Sequence, residues 1–568
     1  MTNTAGHLGA GSHTGVHRRG GRQRSESVSF RRLWDRELDH YPDTTHRYMY
    51  LAIVVLAAIV LYYEFYVQAA VTPSILVHFG MTFPFFVYVL VVGNLVGAFA
   101  SLVAGLADRW GRANMVAYGL LITALIALIG LPYAPNLWAY GVFYAILGFV
   151  EGVILVATPA LIRDFSPQLG RASAMAFWTM GPVIASLTVA EVSSHTLNHL
   201  YAWQDQFIIA GIVGLVVFAI AFVGLRELSP GLRDQLMVSA RDRVLVEARA
   251  AGVDVEASLR HPWRQMAKLD IVGPALGIGV FLVIYYTLIA FLVVFMASIF
   301  HYTQLRANLL GNWIWAFNAI ALIVVGVVSD KVRVRKPFML VGAAVAMIST
   351  AFFAITTTHS GTGYYTFVWI LSLLAVGIGL VFSPWLASFT ETAEERNPAL
   401  VATGLAIWGW VLRLMVAGSF LILPFVVTTM TPIVEHGAQV QTLVAKYPAA
   451  SLPPATLATL QKNPTNAAAL AQARAQLGPN YIKDLVSLAS APKADVAYLA
   501  TYGPKVQSAA AAAPGEWQRW WWICFGCEAL LIPTIFVMRG RWSPKAARAD
   551  DAAHEALVEA ELARMSQG

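Results

Sequence analysis

Four charged residues stand inside runs that are otherwise apolar: Glu64 in VLAAIVLYYEFYVQAAV, Glu151 in LGFVEGVILVATPA, Arg413 in IWGWVLRLMVAG and Glu528 in WWWICFGCEALLIP. In hydrocarbon each would cost about 2.5–3.5 kcal/mol on insertion scales, so such groups face a wet cavity or a partner. Their chemistry is narrow. A carboxyl group held there can take a proton on one side of a membrane and release it on the other. A guanidinium stays charged and grips a carboxylate through paired hydrogen bonds.

Helical spacing sorts the neighbours of these charges. Gln68 and Thr72 follow Glu64 at i+4 and i+8, giving one polar face. Tyr144 and Thr158 flank Glu151 at i−7 and i+7, giving another. Arg413 fits two roles, a contact for an anionic substrate or a bridge to an acid such as Glu151. Glu64 and Glu151 are both candidates for a coupling proton, against a fixed salt bridge or a hydrogen bond to a nearby tyrosine. Tyr62, Tyr63, Tyr66, Tyr285 and Tyr286 cluster in two of the runs as cavity or packing residues, and Asn318 beside Trp315 is a further cavity candidate. Trp517, Trp520, Trp521 and Trp522 read as an interfacial belt. Glu528 has no evident partner in the sequence.

These residues need long apolar elements to position them. The chain has 568 residues, is 58% hydrophobic and 12% charged, and has a mean hydropathy of +0.61, which excludes a soluble globular protein of this size. Twelve runs are long enough to span a bilayer, at about 48–72, 84–106, 113–132, 137–162, 172–192, 205–226, 271–299, 307–329, 337–357, 364–386, 399–427 and 518–538. Eight arginines precede the first run, and Arg109, Arg112, Arg163, Arg171 and the DKVRVRKP segment fall on the same side, whereas LPYAPN and THSGTGYY carry no Lys or Arg. The positive-inside rule then puts both termini in the cytoplasm. The net charge of +7 is a topology signal and points to no nucleic-acid partner. Cys524 and Cys527 lie within the last run and read as small core residues. No Walker-type loop, metal-ligand cluster or nucleophile constellation occurs, so neither an enzyme nor a metal or cofactor is expected.

The sequence also repeats. LYYEFYV (61–67) is matched by IYYTLIA (284–290), GLADRWGR (105–112) by GVVSDKVRVRKP (326–337), and FSPQLGRASAMAFW (165–178) by FTETAEERNPALVATGLAIW (389–408), at one nearly constant offset. The all-α chain therefore reads as two pseudo-symmetric six-helix bundles with a substrate site between them. Gly105, Asp108, Arg109, Gly111 and Arg112, with the degenerate copy at Asp330 and Lys331, resemble the signature of the major facilitator superfamily. That resemblance covers about 48–427 and 517–540. It implies twelve transmembrane helices, alternating access, and a conformational latch at these residues that engages the start of the eleventh span. It also implies that the first and fourth spans line the cavity. Tyr144 stands where an Arg is usual, and GFVEG resembles the organic-anion symporter branch. Gly181-Pro182 is a fragment of the antiporter signature.

The expected divisions are an irregular tail at 1–47, with a short surface helix after Phe30, a first bundle at 48–226 and a central loop at 227–270. The second bundle is expected at 271–427 with its last helix at 517–540, followed by a tail at 541–568. Between them, 428–516 is an Ala-rich insertion expected to form two to four short helices on the extracytoplasmic side. The expected activity is proton-coupled symport of a small anionic metabolite in a bacterial inner membrane, with that metabolite, protons and lipid as partners. Two alternatives stand beside it: a proton-coupled exporter of amphipathic compounds, and a receptor or scaffold that presents the 428–516 cap to a protein partner.

Overall fold

A computed structural model of the chain describes residues 36–100, 110–166, 177–200, 202–229, 262–332, 334–396 and 400–538, with Leu232 and a few positions from Trp542 to Ala549. Among the described residues the regular structure is helical apart from one two-stranded parallel sheet. Glu37–Leu38 (β1) pairs with Glu227–Leu228 (β2), so a strand stands where a helix is expected in the N-terminal tail.

The first half contains α1 (Thr44–Ala70), α2 (Phe83–Ala100), α3 (Arg112–Leu125), α4 (Leu137–Phe165), α5 (Gly181–Thr196) and α6 (Trp203–Gly224). Asp43 caps α1 by accepting from the His46 N–H at 2.9 Å, and Asn136 caps α4 by accepting from the N–H groups of Trp138 and Ala139. The second half contains α7, made of Leu269–Phe281 and Val283–Phe300, then α8 (Gln304–Val332), α9 (Lys336–Thr357), α10 (Tyr364–Arg396) and α11 (Val401–Val426). The break in α7 at Leu282 falls just before Tyr285 and Tyr286.

Four helices follow α11 in the insertion: α12 (Met430–Lys446), α13 (Pro454–Lys462), α14 (Ala467–Leu477) and α15 (Tyr481–Ala489). The last span is α16, one helix of 37 residues from Lys493 to Ala529, continued by Leu531–Val537. It therefore starts far earlier than the apolar run, because the Ala-rich stretch before Trp517 holds helical conformation outside the apolar segment. Among the described residues, eleven helices are long and apolar enough to cross a membrane, and α5 packs beside α1 and α8.

The tryptophans at the start of the last span are not a belt. Trp517, Trp520 and Trp521 are buried; Trp517 and Trp521 stack on each other, and both meet Phe295 edge-on. Only Trp522 of the four is exposed. The apolar faces of α7 and α9 surround them, and burying their large rings contributes more there than at a surface.

Where α2 crosses α4, glycines replace side chains on both. A Cβ on Gly148 would lie 2.6 Å from the Gly93 carbonyl oxygen, and one on Gly152 would collide with the Gly97 carbonyl. The two backbones therefore touch directly.

Candidate functional site

The halves meet along α2–α11, α5–α8 and α1–α7. At the middle of the first contact, Arg413 of α11 reaches over Gly97 of α2 to Glu151 of α4. Its Nη1 and Nη2 donate to the Glu151 carboxylate at 3.2 Å in three hydrogen bonds. The Glu151 side chain is 4% exposed and that of Arg413 is 18% exposed. Gly97 is what allows the approach, since a Cβ there would stand 2.6 Å from Arg413 Nη1 and 3.3 Å from Glu151 Oε2.

Tyrosines surround the pair. Tyr62 and Tyr286 both lie within electrostatic reach of Glu151 and Arg413, and Tyr66 within reach of Glu151 and Tyr286. The rings of Tyr62 and Tyr66 meet at a tilt, 5.4 Å apart on α1, and Tyr285 and Tyr286 meet edge-on at 5.1 Å on α7. Tyr62, Tyr66 and Tyr286 are partly exposed although they lie mid-helix, so they face the space between the halves.

The other predicted site residues lie elsewhere. Glu64 and Gln68 do share a face of α1, but it turns away from the second half. Glu64 is buried against α3 and α6, and a Cβ on Gly214 would collide with its carboxylate. Thr123 lies beside it, but its hydroxyl donates to the Leu120 carbonyl at 3.2 Å. Neither oxygen of Glu64 has a well-formed hydrogen bond among the described residues. Gln68 accepts from the Tyr140 hydroxyl at 2.8 Å within the first half. Tyr144 is buried and stacks on Phe65 at 5.0 Å. Asn318 is buried and donates to the Ala375 carbonyl of α10 at 2.7 Å, tying two helices of one half. Glu528 accepts from Thr350 of α9 at 2.9 Å, also within one half. Spacing identified which residues share a face; it carried no information on which neighbour the face meets.

Of the expected latch, Gly105, Asp108 and Arg109 lie outside the described residues. Gly111 has φ +87°, and a Cβ there would collide with Glu227, whose Oε2 accepts from the Arg112 N–H at 2.8 Å at the start of α3. Arg112 then donates to Asp164 at the end of α4 at 2.6 Å. The second half repeats this link, with Arg335 paired to Asp330 at 2.5 Å and to Glu391 of α10 at 3.0 Å. Arg335, rather than the exposed Lys331, is the bridging cation there. Positions 112 and 335, and 164 and 391, are related by nearly the offset of the sequence repeat.

One inter-half feature carries no signal in the sequence alone. At the end nearest the insertion, Gln304, Asn308 and Asn312 follow one another at i, i+4 and i+8 along α8. Gln304 donates to Ser74 at 2.6 Å and Asn308 to the Ala70 carbonyl at 3.1 Å. Asn312 donates to Glu191 at 2.6 Å and to Ser194 at 3.1 Å. This amide ladder ties the second half to α1 and α5, and Gly311 lets α8 approach Ala190 closely. The adjoining cavity, lined in part by Tyr66, Ser186, Asn308 and Trp315, holds about 30 Å³, too small for a metabolite. Replacing Asn308 and Asn312 by alanine removes hydrogen bonds worth about 1 kcal/mol each. With Cys524 and Cys527 replaced, a cysteine at Ala190 should then react with a membrane-impermeant thiol reagent about tenfold faster. An unchanged rate would show that the ladder does not hold this side shut.

A family model described as Major Facilitator Superfamily matches residues 54–419. A niacin transporter from Acinetobacter baylyi is 32% identical over 133 residues, covering 23% of this chain and 28% of the relative. A putative metabolite transport protein from Bacillus subtilis is 24% identical, covering 58% of this chain and 75% of the relative. A multidrug resistance protein from Salmonella choleraesuis is 30% identical over 28% of this chain and 35% of the relative. Several of these matches thus span well under two thirds of the relative's length. Among solved structures, an inward-facing bacterial homologue of the human lysosomal transporter Spinster aligns with a TM-score of 0.55 at 15% identity, covering 89% of this chain and all of the other. A D-xylose–proton symporter aligns with a TM-score of 0.53 at 14% identity, covering 67% and 90%. At these identities the likeness concerns the fold.

Proposed function

Because the chain belongs to the Major Facilitator Superfamily, and so is a multi-pass membrane transporter rather than an enzyme, we propose that it is a proton-coupled symporter of a small anionic metabolite, working by alternating access. In this reading it lies in the bacterial inner membrane with both termini cytoplasmic, as the loop arginines favour. The observation that carries the reading is the Arg413–Glu151 pair, which joins the two halves at mid-helix among partly exposed tyrosines. In the empty carrier Glu151 neutralises Arg413. A proton on Glu151 frees the guanidinium, an anion takes the vacated hydrogen bonds, and the halves rock with the charge still compensated. Glu151 suits this role better than Glu64, because rocking changes the surroundings of a group at the inter-half contact and leaves a group enclosed in one half as it was. The metabolite and niacin transporters among the relatives favour a small solute.

The multidrug relative supports a second reading, an exporter in which Glu151 meets a cationic amphiphile. The two separate in proteoliposomes carrying Glu151→Gln. Under symport, anion exchange persists while accumulation driven by a pH gradient falls at least tenfold, and Glu64→Gln accumulates as the parent does. Full accumulation by Glu151→Gln would falsify the assignment of the proton to this residue.

A further inference from the structure

Three arginines gather at one end of the first half: Arg36 just before β1, Arg226 just before β2 and Arg47 in the first turn of α1. Arg36 is 3% exposed. Its guanidinium lies 4.4 Å from the centroid of the Phe222 ring, and its Nη1 donates to the Ala221 and Phe222 carbonyls in the last turn of α6. Those bonds cap a helix end that favours a cation. They do not use the whole group. Arg36 Nε is buried and has no acceptor among the described residues. Arg226 lies within electrostatic reach of Arg36 and donates, among the described residues, only to the Leu225 carbonyl at 3.0 Å.

The local acids are committed elsewhere. Glu227 accepts from the Arg112 N–H at the start of α3, and Asp43 accepts from the His46 N–H and meets the His46 ring. Glu37 and Asp39 alternate with Arg36 along the strand, so they turn to its other face, and both are exposed. Burial, and after it the charge of Arg226, push the Arg36 guanidinium below its ordinary range; Tyr118 and Glu227 pull the other way without offsetting this. Two neighbouring guanidinium groups with a buried donor to spare lack an anion.

The surroundings say which anion. Helices α3 and α6 pack side by side, and Tyr118 of α3 meets Phe222 of α6 edge-on at 6.2 Å. Phe218 lies one turn further along α6, 5.4 Å from Phe222. These three rings are half-buried, while Ile122 and Val223 stand exposed on the same two spanning helices. Exposed apolar faces of spanning helices meet acyl chains. The arginines therefore stand at the end of a lipid-facing seam, within a turn of the end of a span, which is the depth of a phospholipid headgroup. A guanidinium grips phosphate through paired N–H groups.

We infer that the end of the α3–α6 seam binds an anionic phospholipid, with its phosphate at Arg226 and Arg36, the Tyr118 hydroxyl at the rim and its chains along the seam. Net negative charge is required, because a choline headgroup brings its own cation. The bound lipid also fastens the N-terminal segment to α6, since Arg36 leads directly into the strand pair. None of this depends on the symport reading or on which way the protein faces.

The test uses the full-length protein, delipidated in detergent and titrated with phosphatidylglycerol or with phosphatidylcholine of the same chains. Glycerol 3-phosphate and inorganic phosphate serve as chainless probes. Native mass spectrometry and melting temperature read the binding. Phosphatidylglycerol should bind about tenfold more tightly than phosphatidylcholine, and neither chainless probe should bind. Arg226→Gln leaves the strand pair and the α6 cap in place, and should cut the preference about fivefold, the effect of one basic residue at an anionic surface. Arg36→Gln should do the same. Arg306→Gln, an exposed arginine on α8 near the insertion, should leave the preference within twofold.

Equal binding of the two lipids overturns the charge requirement. An undiminished preference in Arg226→Gln at parental melting temperature overturns the location. Either chainless probe binding as tightly as phosphatidylglycerol, and losing that binding in Arg226→Gln, overturns the lipid in favour of a soluble phosphate compound.

Discussion

Arg413→Ala should lower the stability of the purified protein by about 3–5 kcal/mol, and adding Glu151→Gln should return most of that loss. Breaking a buried pair from one side leaves the other charge without compensation, which is why the single change costs so much. Glu151 is 4% exposed and receives three hydrogen bonds from Arg413, so it has no water to replace them. Glutamine at 151 carries no charge to strand, so the double variant folds nearly as the parent does. Under the proposed anion symport, transport should not recover with stability: both variants should lose at least a hundredfold in uptake, because neither retains a cation for the anion to meet. Detergent melting curves and proteoliposome uptake read the two quantities separately. If Arg413→Ala alone melted within a degree or two of the parent, the pair would not hold the halves together.

The second large effect concerns the glycines of α2 and α4. Gly148→Ala and Gly152→Ala each drive a methyl group into a backbone carbonyl of α2, at Gly93 and Gly97. Backbone cannot rotate away as a side chain can, so the helices must separate. Overpacking of this kind costs about 1–3 kcal/mol per site, and the two together should halve the yield of folded protein or worse. Gly526→Ala is the matched control, since nothing lies within 4 Å of its added Cβ. There the helix should gain up to about 1 kcal/mol from the loss of glycine's backbone freedom. Size-exclusion profiles and melting temperatures decide the point. A monodisperse Gly148→Ala/Gly152→Ala double variant of parental stability would mean that the crossing tolerates a wider spacing.

The fold was legible because bilayer spans announce themselves by length and composition, and because the repeat relates the halves through one offset. The same offset underlies a symmetry that appears only in space, where Arg112–Asp164 in one half answers Arg335–Glu391 in the other. Arg413 was legible as a mid-span cation with two open roles, and the structure places it in the bridge to Glu151. Glu64, Gln68, Tyr144 and Asn318 were less legible for a physical reason. A polar stripe on a helix satisfies itself against any neighbour that offers a hydroxyl, a carbonyl or a gap, and α1 has neighbours on several sides. The amide ladder was present as Q-x-x-x-N-x-x-x-N. Neutral amides in a polar helix end carry no signal until their acceptors on the other half are known.

The insertion is attached only to the second half, since α12 follows α11 directly and α16 runs on into the membrane domain as one helix. The apolar run begins at Trp517, and from there to Val537 the last span covers the ~30 Å needed to cross hydrocarbon, which leaves Lys493–Glu516, about 36 Å at 1.5 Å per residue, ahead of it. That leading part acts as an outrigger, and each ten degrees of tilt carries its tip about 6 Å. The outrigger does not hang free: α12 rests on the first half at Thr72–Phe79 and α2, with Met430 buried and Val434 packed into the shared core. Opening the carrier on this side must therefore lift that foot and wet its apolar contact. Part of the work of the transport cycle is thus done outside the bilayer, where the composition of the surrounding aqueous phase can alter its pace.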